Sequence, residues 1–204
     1  MAKAKMSKKS TRIDMTAMCD VAFLLLSFFV MTSTAKLPEP LPVDTPASTV
    51  QTKLPDADLA TITVGKEKVF FGVVGKDVRM LTLSKMGEKY NVKFTDEEAK
   101  KFSLIDGFGV PIGNLKQLIA LNGEERNKEG LQPGIPYDSI DNQLREWILA
   151  ARNATKEINN TELKIAIKGD AKEEYPTVKK VIDILQDQKV NKFFLVTGLR
   201  SEDF

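Results

Sequence analysis

The hydrophobic pattern changes character three times along the chain. From Met15 to Ala35 it is unbroken: MTAMCDVAFLLLSFFVMTSTA carries a single charged residue, Asp20. A helix of this length covers roughly 30 Å, the hydrocarbon thickness of a bilayer. Residues 36–58, KLPEPLPVDTPASTVQTKLPDAD, then hold five of the nine prolines. Proline lacks a backbone N–H and disfavours helix, so this stretch predicts an extended, polyproline-biased linker. Beyond it, from 59 to 204, strand-like and helix-like periods follow one another, as in a folded domain.

Within that domain, ATITV and KVFFGVV alternate on either side of Gly65-Lys66-Glu67 and predict a β-hairpin. MLTLS and YNVKF read as short strands in a longer segment, about 79–136. Thr95-Asp96-Glu97-Glu98 has the form of a capping box opening a helix through Phe102. GFGVPIG, 107–113, is glycine-rich but lacks a phosphate-binding spacing and reads as loop. A helix is expected over Asn114-LKQLIAL, bounded by Gly113 and Gly123. Ser139 is the expected cap of a longer one reaching about Glu157, with Ile140, Leu144, Trp147, Ile148 and Ala151 on one face. ELKIAIKGD predicts a strand, Tyr175-Pro176 a helix start, and NKFFLVTG a closing strand, together a βαβ crossover. The expected fold is thus a single N-terminal transmembrane helix, a Pro-rich linker and a small α+β domain, its mixed sheet carrying helices on one side. The motifs at Asn153-Ala-Thr155 and Asn159-Asn-Thr161 match glycosylation acceptors, a pattern short enough to arise by chance. They read as surface loop and helix end.

Charge decides how the apolar stretch is used. A cleaved signal peptide would share its basic flank and the small residues Ser33-Thr34-Ala35. An acid inside the apolar region opposes that reading, and so does a span well beyond the usual 7–15 residues. The anchor is therefore the expectation, with residues 1–14 as a basic tail. Lys3, Lys5, Lys8, Lys9 and Arg12 precede the span, whereas Lys36 is soon followed by Glu39 and Asp44. Positive charge stays on the cytoplasmic side, so the N-terminus is expected in the cytoplasm. Residues 59–204 then lie across the membrane, in the periplasm of a Gram-negative bacterium.

Asp20 gains a direction from its neighbours. Residues seven apart on a helix differ by about 20° and share a stripe. Asp20, Ser27 and Thr34 are so spaced, and Thr16 lies one turn before Asp20. Met18, Ala22, Leu25 and Phe29 occupy the opposite side. This seam faces other helices or water, or its hydroxyls bond back to their own backbone. An ionised acid at membrane depth costs roughly 2.5 kcal/mol or more, which makes it a functional position by default. A carboxyl leaving water holds its proton more tightly and releases it on returning. Such a group can exchange protons across a potential worth about 2.3 kcal/mol per 100 mV. The alternative is a structural acid paired with a basic residue of a partner helix.

Composition narrows the remaining chemistry. The chain of 204 residues has no histidine and one cysteine, Cys19. That removes Ser-His-Asp triads, Cys–His pairs and nearly all zinc sites, so neither catalytic nor metal-binding residues are expected. A net charge of +2 without a basic, aromatic-laced stripe argues against nucleic acid. Protons are the expected coupling ion, no cofactor is expected, and membrane lipid surrounds the span.

Ile13-Asp14-Met15-Thr16, then Asp20-Val21 and the Leu/Phe-rich span, resemble the transmembrane signature of the ExbD/TolR family of biopolymer-transport proteins. Leu37-Pro38-Glu39-Pro40-Leu41-Pro42 is similar to that family's periplasmic Leu-Pro motif, and residues 164–198 to its closing strand–helix–strand. The resemblance implies a single-pass inner-membrane protein, paired with a second copy inside a ring of ExbB/TolQ-type polytopic subunits. It implies that Asp20 exchanges protons and that the motion passes to a TonB- or TolA-type partner, with Leu37, Pro38, Leu41 and Pro42 as partner-contact positions. Thr16 stands where that family has a threonine, and Ala17 replaces a common proline. A TonB-linked role is the leading expectation. A TolR-type role in the Tol–Pal system, or a membrane-anchored periplasmic scaffold, is the alternative.

Overall fold

The computed structural model describes residues 15–33, 39–48, 53–128, 130–138 and 141–199. Two units separate, Met1–Leu37 and Pro38–Phe204. The described part of the first is one helix, α1 (Met15–Thr32), with no buried residue. The helix stops three residues before the end of the expected span, and the Ser33 N–H still closes its last turn on the Phe29 carbonyl at 2.9 Å.

The second unit is built on the expected hairpin, β2 (Leu59–Gly65) and β3 (Lys68–Val73). Alternation puts Ala60, Ile62, Val64, Val69, Phe71 and Val73 in one buried cluster. The strands pair antiparallel, closing on Gly65 and Lys68. Lys66 and Glu67 between them both have positive φ, 53° and 58°. A two-residue turn of that hand suits the right-handed twist of the strands, at a steric cost for side chains other than glycine or asparagine. On the other side of β2, β4 (Lys164–Gly169) runs parallel, and β5 (Phe194–Val196) runs parallel to β4. The sheet order is β3-β2-β4-β5, with α7 (Tyr175–Asp187) making the βαβ crossover and Pro176 in its first turn. The mixed sheet and its helices bear out the α+β expectation.

Between β3 and β4 lies a helical segment, and here several expectations are corrected. MLTLS is not a strand but the middle of α2 (Lys76–Tyr90), and YNVKF spans that helix's last residue and the loop after it. The alternation in MLTLS lasts five residues, whereas the buried positions Val78, Thr82, Leu83 and Met86 follow the helical period over three turns. Asn91, left-handed at φ 54°, ends the helix. The capping box is present: Thr95 Oγ1 accepts from the Glu98 N–H, and the Glu98 carboxylate accepts from the Thr95 N–H, opening α3 (Asp96–Phe102). A 3-10 turn (Ile112–Asn114) leads into α4 (Leu115–Ala120). Gly123 does not bound that helix at a distance but begins a further turn, α5 (Gly123–Arg126). The long helix α6 (Gln143–Asn159) starts later than expected, because Asn142 caps it by accepting from the Arg145 N–H at 3.0 Å. Ser139 and Ile140, expected as cap and apolar face, lie outside the described residues. Asn153 sits inside α6 rather than in a surface loop, and Thr155 is fully buried, its hydroxyl donating to the Ala151 carbonyl.

This helical segment is built into the core. Trp147 is fully buried, with its ring centroid 4.8 Å from that of Phe108 and 6.1 Å from that of Phe102. Phe71 and Phe108 exchange backbone hydrogen bonds at 2.8 and 3.0 Å, and the Ile135 N–H donates to the Val69 carbonyl at 2.8 Å. The outer edge of β3 is thereby closed. Gly72 permits the approach, since a Cβ there would lie 2.2 Å from the Asp106 carbonyl oxygen. Arg79 fastens the same corner, donating to the carbonyls of Val73 and Ser103 and to the Asp106 carboxylate.

Candidate functional site

Two stretches carry the expected functional residues, one in each unit. In α1, 18 residues at 1.5 Å each span about 27 Å. Every large apolar side chain from Met15 to Met31 is more than half exposed, so the helix presents hydrocarbon on nearly all sides. Such a helix is stable in an apolar solvent, where its backbone bonds are satisfied internally. Asp20 lies in its second turn, exposed, and α1 contains no lysine or arginine to balance it. The helix thus offers one carboxylate and no countercharge of its own.

The polar seam is resolved in part. Thr16 is exposed on α1 one turn before Asp20, and Ser27 is half-buried. The Ser27 hydroxyl donates to the Leu24 carbonyl at 2.9 Å, and Thr32, not singled out in the sequence, donates to the Phe28 carbonyl at 2.8 Å. A hydroxyl bonded to its own backbone needs no partner in lipid but keeps a lone pair free to accept from a neighbouring helix. Thr34 lies outside the described residues.

The second stretch begins the larger unit. Leu37 and Pro38 lie outside the described residues, while Leu41 and Pro42 are placed. Leu41 is 8% exposed, buried against the sheet, and Pro42 faces solvent. Gly65 leaves room for this segment: a Cβ there would lie 2.8 Å from Val43 Cγ1 and 3.4 Å from Leu41 Cδ2. Glu39 pairs with Lys168. Further on, the Ala171 N–H donates to the Asp44 carbonyl at 2.7 Å and the Gly198 N–H to the Pro46 carbonyl at 2.9 Å. β1 (Ala47–Ser48) runs parallel to β6 (Gly198–Leu199). Residues 39–48, read from composition as linker, therefore lie on the domain. The only local hint was Leu41 and Val43, two apolar residues two apart in a polar, proline-rich stretch. Glu39 and Lys168 were beyond sequence reasoning, being 129 positions apart.

The family model described as biopolymer transport protein ExbD/TolR matches residues 6–199, nearly the whole chain. No curated protein and no solved structure gives a match.

Proposed function

The chain belongs to the ExbD/TolR family of biopolymer-transport proteins, and from that premise we propose that it is the proton-coupled subunit of an inner-membrane motor complex. The observation that carries this reading is Asp20, a single carboxylate on an otherwise apolar, outward-facing helix that has no basic residue of its own. In the proposed cycle, ExbB/TolQ-type subunits surround α1 and present Asp20 alternately to a water path and to a dry contact. Protonation removes the cost of the dry contact, deprotonation restores the charge, and proton flow down the membrane potential gives the alternation a direction. Thr16 lies beside Asp20, and Ser27 carries the seam toward the far side. The lysine-rich flank supports an N-terminus in the cytoplasm and a second unit in the periplasm. There residues 39–48, with Leu41 and Pro42, pass the motion to a TonB-like partner that energises outer-membrane transport.

The test is Asp20→Asn, which keeps size and polarity but cannot ionise. Purified with its polytopic partners, the variant assembles as the wild type does, while energised uptake falls to the level of a strain lacking the protein. Uptake at the wild-type rate would refute the proton-carrying role. A TolR-type assignment predicts a different phenotype on deletion, envelope leakage and impaired constriction with uptake intact.

A further inference from the structure

Asn122-Gly123 is the one asparagine–glycine pair in the chain. It opens α5, a single turn that buries no residue, and both members of the pair are exposed. Asn122 has extended backbone, φ −69° and ψ 159°, and its side chain makes no capping hydrogen bond. A Cβ built on Gly123 would meet nothing within 4 Å, so the glycine side is open as well. The Asn122 carbonyl accepts from the Arg126 N–H at 2.9 Å. Turning the Asn122 backbone breaks this bond and disturbs no buried side chain of α5, and a segment so held opens at low cost. Other exposed asparagines differ. Asn91 precedes Val92 and Asn160 precedes Thr161, both β-branched, while Asn153 lies inside α6.

These are the conditions for an intramolecular acyl transfer. The side-chain amide and the next backbone nitrogen already share one molecule, which gives the reaction the entropic advantage of proximity. Glycine leaves that nitrogen unshielded and its backbone free to turn. We propose that Asn122 is a site of spontaneous covalent modification, in which the Gly123 nitrogen displaces the amide of the Asn122 side chain. A bond forms between the Gly123 nitrogen and Asn122 Cγ, and the Cγ–Nδ2 bond breaks. The displaced nitrogen leaves as ammonia, taking the proton that Gly123 gives up. The five-membered succinimide then takes up one water at either ring carbonyl. Opening at Cγ yields aspartate; opening at the backbone carbonyl yields isoaspartate, with the chain continuing through the side-chain carbon. Nothing is oxidised or reduced, and water is the co-reactant. Either product adds one negative charge at the start of α5. The site is independent of Asp20.

The test holds the full chain, in detergent micelles, at mildly alkaline pH in heavy-oxygen water, followed by digestion and mass spectrometry. Heavy oxygen should enter at Asn122, in two products of equal mass that separate by chromatography. Conversion there should be about tenfold faster than at Asn91 or Asn160. Gly123→Ala fits the open space and favours the turn, so the fold is kept while the reaction slows about tenfold. The rate in the native chain should lie within about tenfold of that in urea, because the fold withholds neither reacting atom. Conversion at Asn122 no faster than at Asn91 and Asn160 overturns the proposal. So does an unchanged rate in Gly123→Ala, or a native rate far below that of the unfolded chain.

Discussion

Helices α1 and α6 are nearly the same length, 18 and 17 residues, and are opposites in what stabilises them. α6 buries Leu144, Trp147, Ile148, Ala151 and Ala154 along one face and turns Arg145, Lys156 and Glu157 outward. Its stability comes from its own domain. α1 buries nothing among the described residues, and its apolar side chains point in every direction. It depends on a medium that the chain does not supply. The one residue that suits neither core nor lipid, Asp20, lies in the helix whose surroundings come from elsewhere. A costly group in α6 would be a defect of the fold. In α1 it leaves the packing of the domain untouched, and the proposed proton cycle relies on that independence.

Substitution can break this comparison. Trp147→Ala removes the largest fully buried side chain and should destabilise the domain by about 3–5 kcal/mol. Urea unfolding of the full chain in micelles, followed by far-UV circular dichroism, measures it. Leu25→Ala in α1 should leave the same transition in place. If both shifted it equally, the two helices would not be supported independently. A smaller effect sharpens the picture at the start of α6. Asn142→Ala deletes the side-chain cap on the Arg145 N–H and should cost about 1 kcal/mol in the same measurement. An unchanged midpoint would mean that the cap is made good by solvent.

The smallest effect concerns pH. The Thr95 backbone N–H holds the Glu98 carboxyl below the usual range for glutamate, opposed by slight burial. A pKa depressed in the folded state adds stability above the unfolded value near 4.5, lost as pH falls through the folded pKa. Because Glu98 remains open to solvent in part, screening keeps the contribution under about 0.5 kcal/mol. Wild type should therefore lose slightly more stability than Glu98→Gln between pH 6 and pH 3, read from paired unfolding curves. Parallel curves would show that the capping box contributes nothing through its charge.

Much of the domain could be read locally because its signals are local. The hairpin, the capping box at Thr95, the proline start of α7 and the βαβ unit each rest on residues within a few positions of one another. The misreadings have a common cause. MLTLS alternates for five residues, too few to separate a strand from a helix whose other buried positions, Val78 and Met86, lie outside the window. Asn142 caps α6 three positions beyond the expected Ser139, because which polar residue begins a helix depends on where the core admits the first turn. Asp20 could be singled out without coordinates, since a charge in an apolar run of spanning length is a contradiction within the segment itself.

By itself, then, the sequence determined an apolar helix long enough to cross a membrane, the single acid within it and the alternation and periodicity that make the sheet and most helices, since each follows from the solvent preference of side chains counted along one segment. Only the tertiary structure decided that the segment between β3 and β4 closes the outer edge of β3 and that the proline-rich segment lies on the domain instead of apart from it. Those outcomes depend on contacts between residues tens of positions apart, where no local propensity acts and shape complementarity makes the choice.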